Sequence, residues 1–396
     1  MVEITNKLKK IDMPSSIFGG WSKIICFNQE GDIIGMTDAH DGDFFPLSIL
    51  DYVDALKKIR NGSYRVPLQV DIDITQNCNC NCHFCFSSSY RKNPNYYRSY
   101  INKVMLDNLL QELASKGTKS VRYCGGGEPL MHPDIKEIIK LPSKYNLKST
   151  IITNGDFLTS EIAELMLEYV NKIQWSLNSI TDETRMHIHR SNTGIDQTLK
   201  VCKSMIKSRT QFPIICSTFL LHPDNVNEIL ETIKKMSEIG IDSLSFRNIN
   251  HKKISWKIED LKKLNNTIKI AKDLNLPFVH FPSFKDKSNI PLKCLSTQLR
   301  TVIESYKEGY LIQYCGLFRG SGIKNENFIK EFDSFESRWE KALKEKNLKC
   351  SFCIDSSINR ALNFINKMLN IDENAIFETN KTDIQKVYIH ESLSDY

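Results

Sequence analysis

Between residues 67 and 283 the chain alternates short apolar strands with amphipathic helices, and few folds accommodate that pattern. Strands are expected at 68–75, 119–125, 148–153, 172–178, 214–221 and 242–249, and helices at 104–116, 133–141, 159–170, 195–207, 224–238 and 258–273. The helices carry apolar residues at three- and four-residue spacing, as in Val226, Ile229, Leu230, Ile233 and Met236. Such alternation implies βαβ units and a parallel sheet. Six units fall short of a closed eight-stranded barrel, so the fold class expected is α/β, a partial (β/α)6 TIM-like barrel. Function is then expected at the carboxyl ends of the strands.

The flanks read differently. Residues 1–66 form a small α+β unit, with two strands around the turn Gln29-Glu30-Gly31-Asp32 and a helix from Leu47 to Ile59. Beyond residue 283 the alternation stops. Residues 284–360 carry four spaced cysteines, and an amphipathic helix near Ile358 to Leu369 leads into a polar tail, taken as 361–396.

The cysteines constrain the chemistry. The start of the chain is basic but has no apolar core of a secretory signal, and no run of eighteen apolar residues appears. A cytoplasmic protein without membrane contact is expected, and clustered cysteines there are more often metal ligands than disulfides. The net charge of +6 is spread over many helices, and aromatic and basic residues are not interleaved on one segment. No nucleic-acid footprint follows from it. A zinc-binding nucleic-acid module is the competing reading from another class.

The first expected strand runs into QNCNCNCHFCFSS, in which Cys78, Cys82 and Cys85 are spaced C-x3-C-x2-C. A cubane cluster takes four thiolates, so three leave one iron open to a ligand. Zinc prefers a closed tetrahedral site, for which His83 is the nearest extra ligand. Cys80 reads as a loop cysteine without a ligand role, although a register that uses it stays open. At the next strand end, Cys124-Gly125-Gly126-Gly127-Glu128-Pro129 combines glycines that permit close approach with a carboxylate suited to a cationic amine. Thr153-Asn154-Gly155 closes the third strand, where an ordinary turn is the alternative. Alternation places Ser176 and Asn178 on one face after the fourth. His187 and His189 read as surface residues.

The cysteine loop, with aromatic Phe84 before its last cysteine, resembles the signature of the radical S-adenosylmethionine (radical SAM) superfamily. The resemblance covers about 67–283 and implies a [4Fe–4S] cluster on Cys78, Cys82 and Cys85, with S-adenosylmethionine on the open iron. One electron, from flavodoxin or ferredoxin, then yields a 5′-deoxyadenosyl radical that abstracts hydrogen from substrate. By the same resemblance Gly126, Gly127 and Glu128 match the motif that holds the methionyl ammonium. Thr153 and Asn154 match a frequent turn, and Ser176 and Asn178 the ribose-contacting segment. Arg190 matches an arginine that meets the cofactor carboxylate, and Arg247 lies near the adenine.

The four later cysteines, Cys294, Cys315, Cys350 and Cys353, fit a fully ligated [4Fe–4S] cluster or a structural zinc. Their region resembles the Twitch and SPASM extensions of the same superfamily. It departs from them in having Gly309-x5-Cys315 and fewer cysteines than a full SPASM unit. The resemblance implies an auxiliary cluster and, as substrate, a ribosomally made peptide to be cross-linked or epimerised. A small-molecule substrate, such as an aminoglycoside-like alcohol, is the alternative.

Overall fold

A computed structural model describes residues 21–40, 46–82, 84–85, 87, 99–191, 193–210, 212–249, 254–281, 294–313, 315, 328–329, 334–336, 339 and 356–380. In the first part of the chain β1 (Trp21–Phe27), β2 (Ile33–His40) and α1 (Ile49–Arg60) match the hairpin and helix read from sequence. Asn28 shapes the hairpin turn, its side-chain oxygen accepting from the backbone N–H of Glu30 and of Asp32. A reciprocal Ser48–Asp51 capping box starts α1.

The central sheet contains β3 (Gln69–Asp73), β4 (Ser120–Tyr123), β5 (Lys148–Thr153), β6 (Lys172–Ser176), β7 (Ile214–Leu221) and β8 (Ser243–Asn248), side by side and all parallel. Between them lie α2 (Lys103–Lys116), α3 (Ser160–Tyr169), α4 (Asp182–His189), α5 (Ile195–Ser208) and α6 (Ile229–Ile239), followed by α7 (Ile258–Asp273). Period-two alternation gives the sheet two chemically distinct faces. Val70, Ile72, Val121, Ile151, Ile173, Ile215 and Leu244 join the apolar core. Register partners on the other face are polar: Asp71 opposite Arg122, and Thr150 opposite both Arg122 and Lys172. Arg122 donates to both Asp71 carboxylate oxygens, 2.8 Å from Nε to Oδ1.

Several elements depart from the sequence reading. The helix expected at 133–141 is two single turns, Ile135–Ile138 and Leu141–Lys144, with Pro142 in the second. Proline has no N–H to continue the ladder of the first. A 3₁₀ segment at Pro223–Glu228 precedes α6, and α4 was not expected at all. The parallel sheet also continues past 283. The strand β9 (Val279–His280) pairs with β8, and β10 (Arg300–Tyr306) returns to lie parallel beside β3. The strands β11 (Gly309–Gln313) and β12 (Phe328–Ile329) extend that edge antiparallel, giving a ten-stranded order β12-β11-β10-β3-β4-β5-β6-β7-β8-β9. The sheet is open, in keeping with a partial barrel.

A second sheet joins distant parts of the chain. The final strand β13 (Ile376–Asn380) pairs antiparallel with β1, in the order β13-β1-β2. The preceding α8 (Ser356–Ile371) contributes Leu362, Ile365 and Met368, each fully buried, to a core shared with Ile24, Tyr52 and Leu56. No helix among the described residues is long and apolar enough to cross a membrane.

Candidate functional site

Because β3 to β6 are parallel and in register, the segments that follow them leave the sheet at the same edge. The cysteine loop follows β3. Its entry is held by Thr75, which bridges to Tyr100, and by Asn77, whose N–H donates to Thr75 Oγ1 at 3.0 Å. Cys78, Cys82 and Cys85 are half-buried, whereas Cys80 is 5% exposed. The N–H of Cys85 donates to the Cys82 carbonyl at 3.1 Å, closing a tight turn around Phe84.

The glycine run after β4 seats directly on this loop. A Cβ on Gly126 would lie 1.8 Å from Gln76 Oε1, and one on Gly127 would lie 2.0 Å from the Asn77 carbonyl oxygen. Gly125 adopts φ +100°, and a Cβ there would meet Asp73 Oδ1 at 1.6 Å. The space that glycine frees is thus filled by the protein's own cysteine loop, where the sequence reading had placed a ligand. Backbone bonds lock the contact, from Gly127 N–H to Thr75 O at 3.0 Å and from Glu128 N–H to Asn77 O at 2.7 Å.

Glu128 is 3% exposed and joins two strand ends. Its Oε1 accepts from Thr153 Oγ1 at 2.6 Å and from Leu130 N–H at 3.1 Å, and its Oε2 from Asn154 N–H at 2.8 Å. A carboxylate offers about four acceptor positions, so one is left for a further donor. Burial pushes its carboxyl up to about 7 despite these hydrogen bonds, with the nearby Asp156 charge adding to the rise.

The turn Thr153-Asn154-Gly155-Asp156 connects everything else. Asn154 Nδ2 donates to Asn79 Oδ1 at 2.8 Å and to Cys80 Sγ at 3.2 Å. Gly155 has φ +83°, and a Cβ there would strike Thr198 and the Trp175 indole. Asp156 Oδ2 accepts from Asn79 Nδ2 and from Ser191 Oγ, each at 2.6 Å, while its Oδ1 pairs with Arg185. Arg185 also donates to the carbonyls of Thr193 and Asn154, and its Nη1 is buried with no hydrogen-bond partner among the described residues. Nothing in the sequence flagged Arg185 or Asp156. The available signal was a helix start, Thr181 followed by Asp182 and Glu183, and the short segment after it has too few apolar residues to show a period.

His189 corrects the expectation of a surface residue. It is 1% exposed, and its Nδ1 lies 3.6 Å from Cys82 Sγ. Its Nε2 faces the Leu177 carbonyl at 3.1 Å, and its own carbonyl accepts from Asn81 N–H at 3.0 Å. Phe84 meets its ring edge-on, with centroids 6.0 Å apart. Burial, with the Arg185 charge, pulls its pKa down to about 4, so the ring is neutral at physiological pH. At Cys80, the hydrogen bond with Cys78 lowers the thiol pKa, but contact with Cys82, burial and Asp156 outweigh it and hold the thiol well above its usual range.

The remaining candidates are more dispersed. Ser176 is half-buried, but β6 ends there and Asn178 takes φ +53°, so the expected alternation stops short of it. Asn178 Oδ1 accepts from Leu220 N–H at 2.7 Å, which spends the side chain on the neighbouring strand. Arg190 is exposed as the left-handed cap of α4, and Arg247 is exposed near the end of β8. Cys294 and Cys315 are half-buried near one end of the β10–β11 hairpin, whose register pairs Val302 with Gln313. Cys350 and Cys353 lie outside the described residues.

This donor set suits a soft metal centre. The loop thiols are half-buried and adjacent, while Cys124, Cys202 and Cys216 are buried in the sheet and helices. A family model of the radical SAM superfamily matches residues 72–236, which spans the cysteine loop, the glycine turn and Arg185. Among curated proteins, the chain is 30% identical over 132 residues to an AdoMet-dependent heme synthase of Methanosarcina barkeri, covering 33% of this chain and 37% of that protein. It is 27% identical over 133 residues to a PqqA peptide cyclase of Gluconobacter oxydans, covering 33% and 36%. The chain thus spans well under two thirds of these relatives. The fold resembles that of Streptococcus suis SuiB, solved with its precursor peptide SuiA, at TM-score 0.57 and 17% identity over 74% of this chain and 70% of that one. Enzymes of this family use a [4Fe–4S] cluster and S-adenosylmethionine, and the matched residues include the loop that carries half-buried Cys78, Cys82 and Cys85. A radical SAM superfamily domain over residues 72–236 is thus set in this partial barrel.

Proposed function

We propose that this chain modifies a ribosomally made peptide by hydrogen abstraction, leaving a cross-link or an inverted centre. The observation that carries the reading is the chain of contacts Thr153–Glu128–Asn154–Asn79, which fastens the cysteine loop to two strand ends. When bound, the cluster and S-adenosylmethionine supply a 5′-deoxyadenosyl radical for that abstraction.

The protein's own share is binding and orientation. Cys78, Cys82 and Cys85 would serve as the cluster thiolates, with Phe84 packed edge-on against His189 beside them. Gly126 and Gly127 let the loop seat, and Glu128 offers its free acceptor position to the methionyl ammonium. Thr153 and Asn154 hold that carboxylate in place. Ser176 and Asn178 border the ribose, and Arg190 and Arg247 at the rim serve the cofactor carboxylate and the adenine. Residues 67–283 form the catalytic barrel and 1–66 the small N-terminal unit. Residues 284–360 would hold an auxiliary [4Fe–4S] cluster on Cys294, Cys315, Cys350 and Cys353, which would supply an electron acceptor or an anchor for substrate, and 361–396 form a C-terminal tail. Flavodoxin or ferredoxin serves as reductant. A peptide is favoured as substrate by the PqqA peptide cyclase among the relatives.

Anaerobic purification is the first test, with about eight irons per chain expected. Reduction with S-adenosylmethionine then releases 5′-deoxyadenosine, and C78S, C82S or C85S abolishes it. Addition of candidate precursor peptides accelerates release; a cross-link lowers the peptide mass by loss of hydrogen, whereas an inverted centre leaves it unchanged in water and raises it by uptake of deuterium in deuterium oxide. Turnover with an aminoglycoside-like alcohol and none of the peptides overturns the substrate assignment. A protein that takes up no iron even after a chelator has removed any zinc overturns the whole reading.

A further inference from the structure

We infer that Cys80, Cys82 and His189 form a second, mononuclear metal site for zinc, overlapping the cluster loop and excluding the cluster when filled. The three ligand atoms lie within 4.8 Å of one another, with no rearrangement of the backbone. Zinc binds thiolate at about 2.3 Å and imidazole at about 2.0 Å, so a tetrahedral site separates sulfur and nitrogen by about 3.5 Å. Cys82 Sγ and His189 Nδ1 stand 3.6 Å apart.

The surroundings prepare each ligand for that role. A backbone carbonyl only accepts, so the Leu177 oxygen beside Nε2 assigns the imidazole proton to Nε2. The lone pair of Nδ1 is thereby turned toward Cys82. A carbonyl behind a metal-binding histidine is the usual means of setting its orientation and tautomer. Asn154 Nδ2 donates to Cys80 Sγ at 3.2 Å, and Cys80 Sγ donates to Asp156 Oδ2 at 3.6 Å, which fixes the sulfur in place and gives its displaced proton a nearby acceptor. Cys80 and His189 are both buried and Cys82 is half-buried, and a water would complete the four-coordinate shell. Binding replaces the thiol protons of Cys80 and Cys82 with metal–sulfur bonds and releases both protons to solvent.

The consequence concerns metal selection. Cys82 belongs to both ligand sets, so one chain holds either zinc or the cluster. Cys85 belongs to the cluster set alone, and Cys80 and His189 to the zinc set alone. The two assignments are therefore separable by substitution, and failure of one leaves the other testable.

The experiment titrates the full-length chain, stripped of metal by chelator, with cobalt(II) and then zinc(II). Expected is a single cobalt per chain with thiolate-to-cobalt charge transfer and intense tetrahedral d–d bands, bleached by zinc. C80S and H189Q weaken cobalt binding by more than roughly tenfold, and C85S leaves it unchanged. In parallel, iron uptake during anaerobic reconstitution falls in wild-type protein preloaded with zinc and in C85S, but persists in C80S preloaded with zinc. Absence of a tetrahedral cobalt spectrum overturns the inference. So does a cobalt site that survives both C80S and H189Q, or one that is lost in C85S.

Discussion

Asp156 and Arg185 form an ion pair in which each side chain is 1% exposed, and the pair ties the turn after β5 to α4. Through Asp156 it also reaches Asn79 of the cysteine loop. Three segments that are far apart in sequence are thereby fixed at one edge of the sheet.

Removing one partner of such a pair leaves an uncompensated buried charge. R185A is expected to lower stability by about 3–5 kcal/mol. The double variant D156N/R185M, which removes both charges, should lose clearly less than the sum of the singles. Chemical denaturation of the wild type, D156N, R185M and the double variant checks the non-additivity. Equal and additive losses count against a coupled pair.

The glycine run is expected to discriminate between two substitutions that differ only in what they strike. G127A drives a methyl group into the Asn77 backbone, whereas G126A meets the end of the Gln76 side chain. The side chain can swing aside and the backbone cannot. Iron incorporation after anaerobic reconstitution should therefore fall several-fold more in G127A than in G126A.

Glu128 makes stability fall with rising pH across a defined window. Its carboxyl titrates at about 7 in the folded protein against an ordinary 4.5, so the folded state holds the proton more tightly. Its contribution is most favourable below about 4.5, declines as pH rises, and is fully lost above about 7. Unfolding free energy measured between those values should slope downward more steeply in the wild type than in E128Q. Matching slopes would refute the shift.

The small sheet depends on the end of the chain. I365A removes a fully buried side chain from the core that α8 shares with β1 and α1 and should cost about 2–5 kcal/mol. Hydrogen exchange should then quicken in β1 and β13, which among the described residues pair with each other, β1 also pairing with β2. Unchanged protection there would mean that α8 does not support the sheet.

Local features were legible in the sequence. The spacing of Cys78, Cys82 and Cys85 and the glycines before Glu128 are contiguous in the chain, so their chemistry reads directly from residue order. Strand and helix periods along 67–249 are likewise local, because one face of each element must be apolar to bury it. Only the tertiary structure decided which distant segments meet. Arg185, which the sequence reading passed over, is buried because α4 turns that face inward, whereas Arg190 ends the helix as an exposed left-handed cap. His189 became a neighbour of Cys82 because α4 packs against the loop after β3. Likewise β10 joined β3, and β13 joined β1, through pairings across hundreds of residues. Such pairings depend on which edges remain open once the rest has folded, and no local period records that.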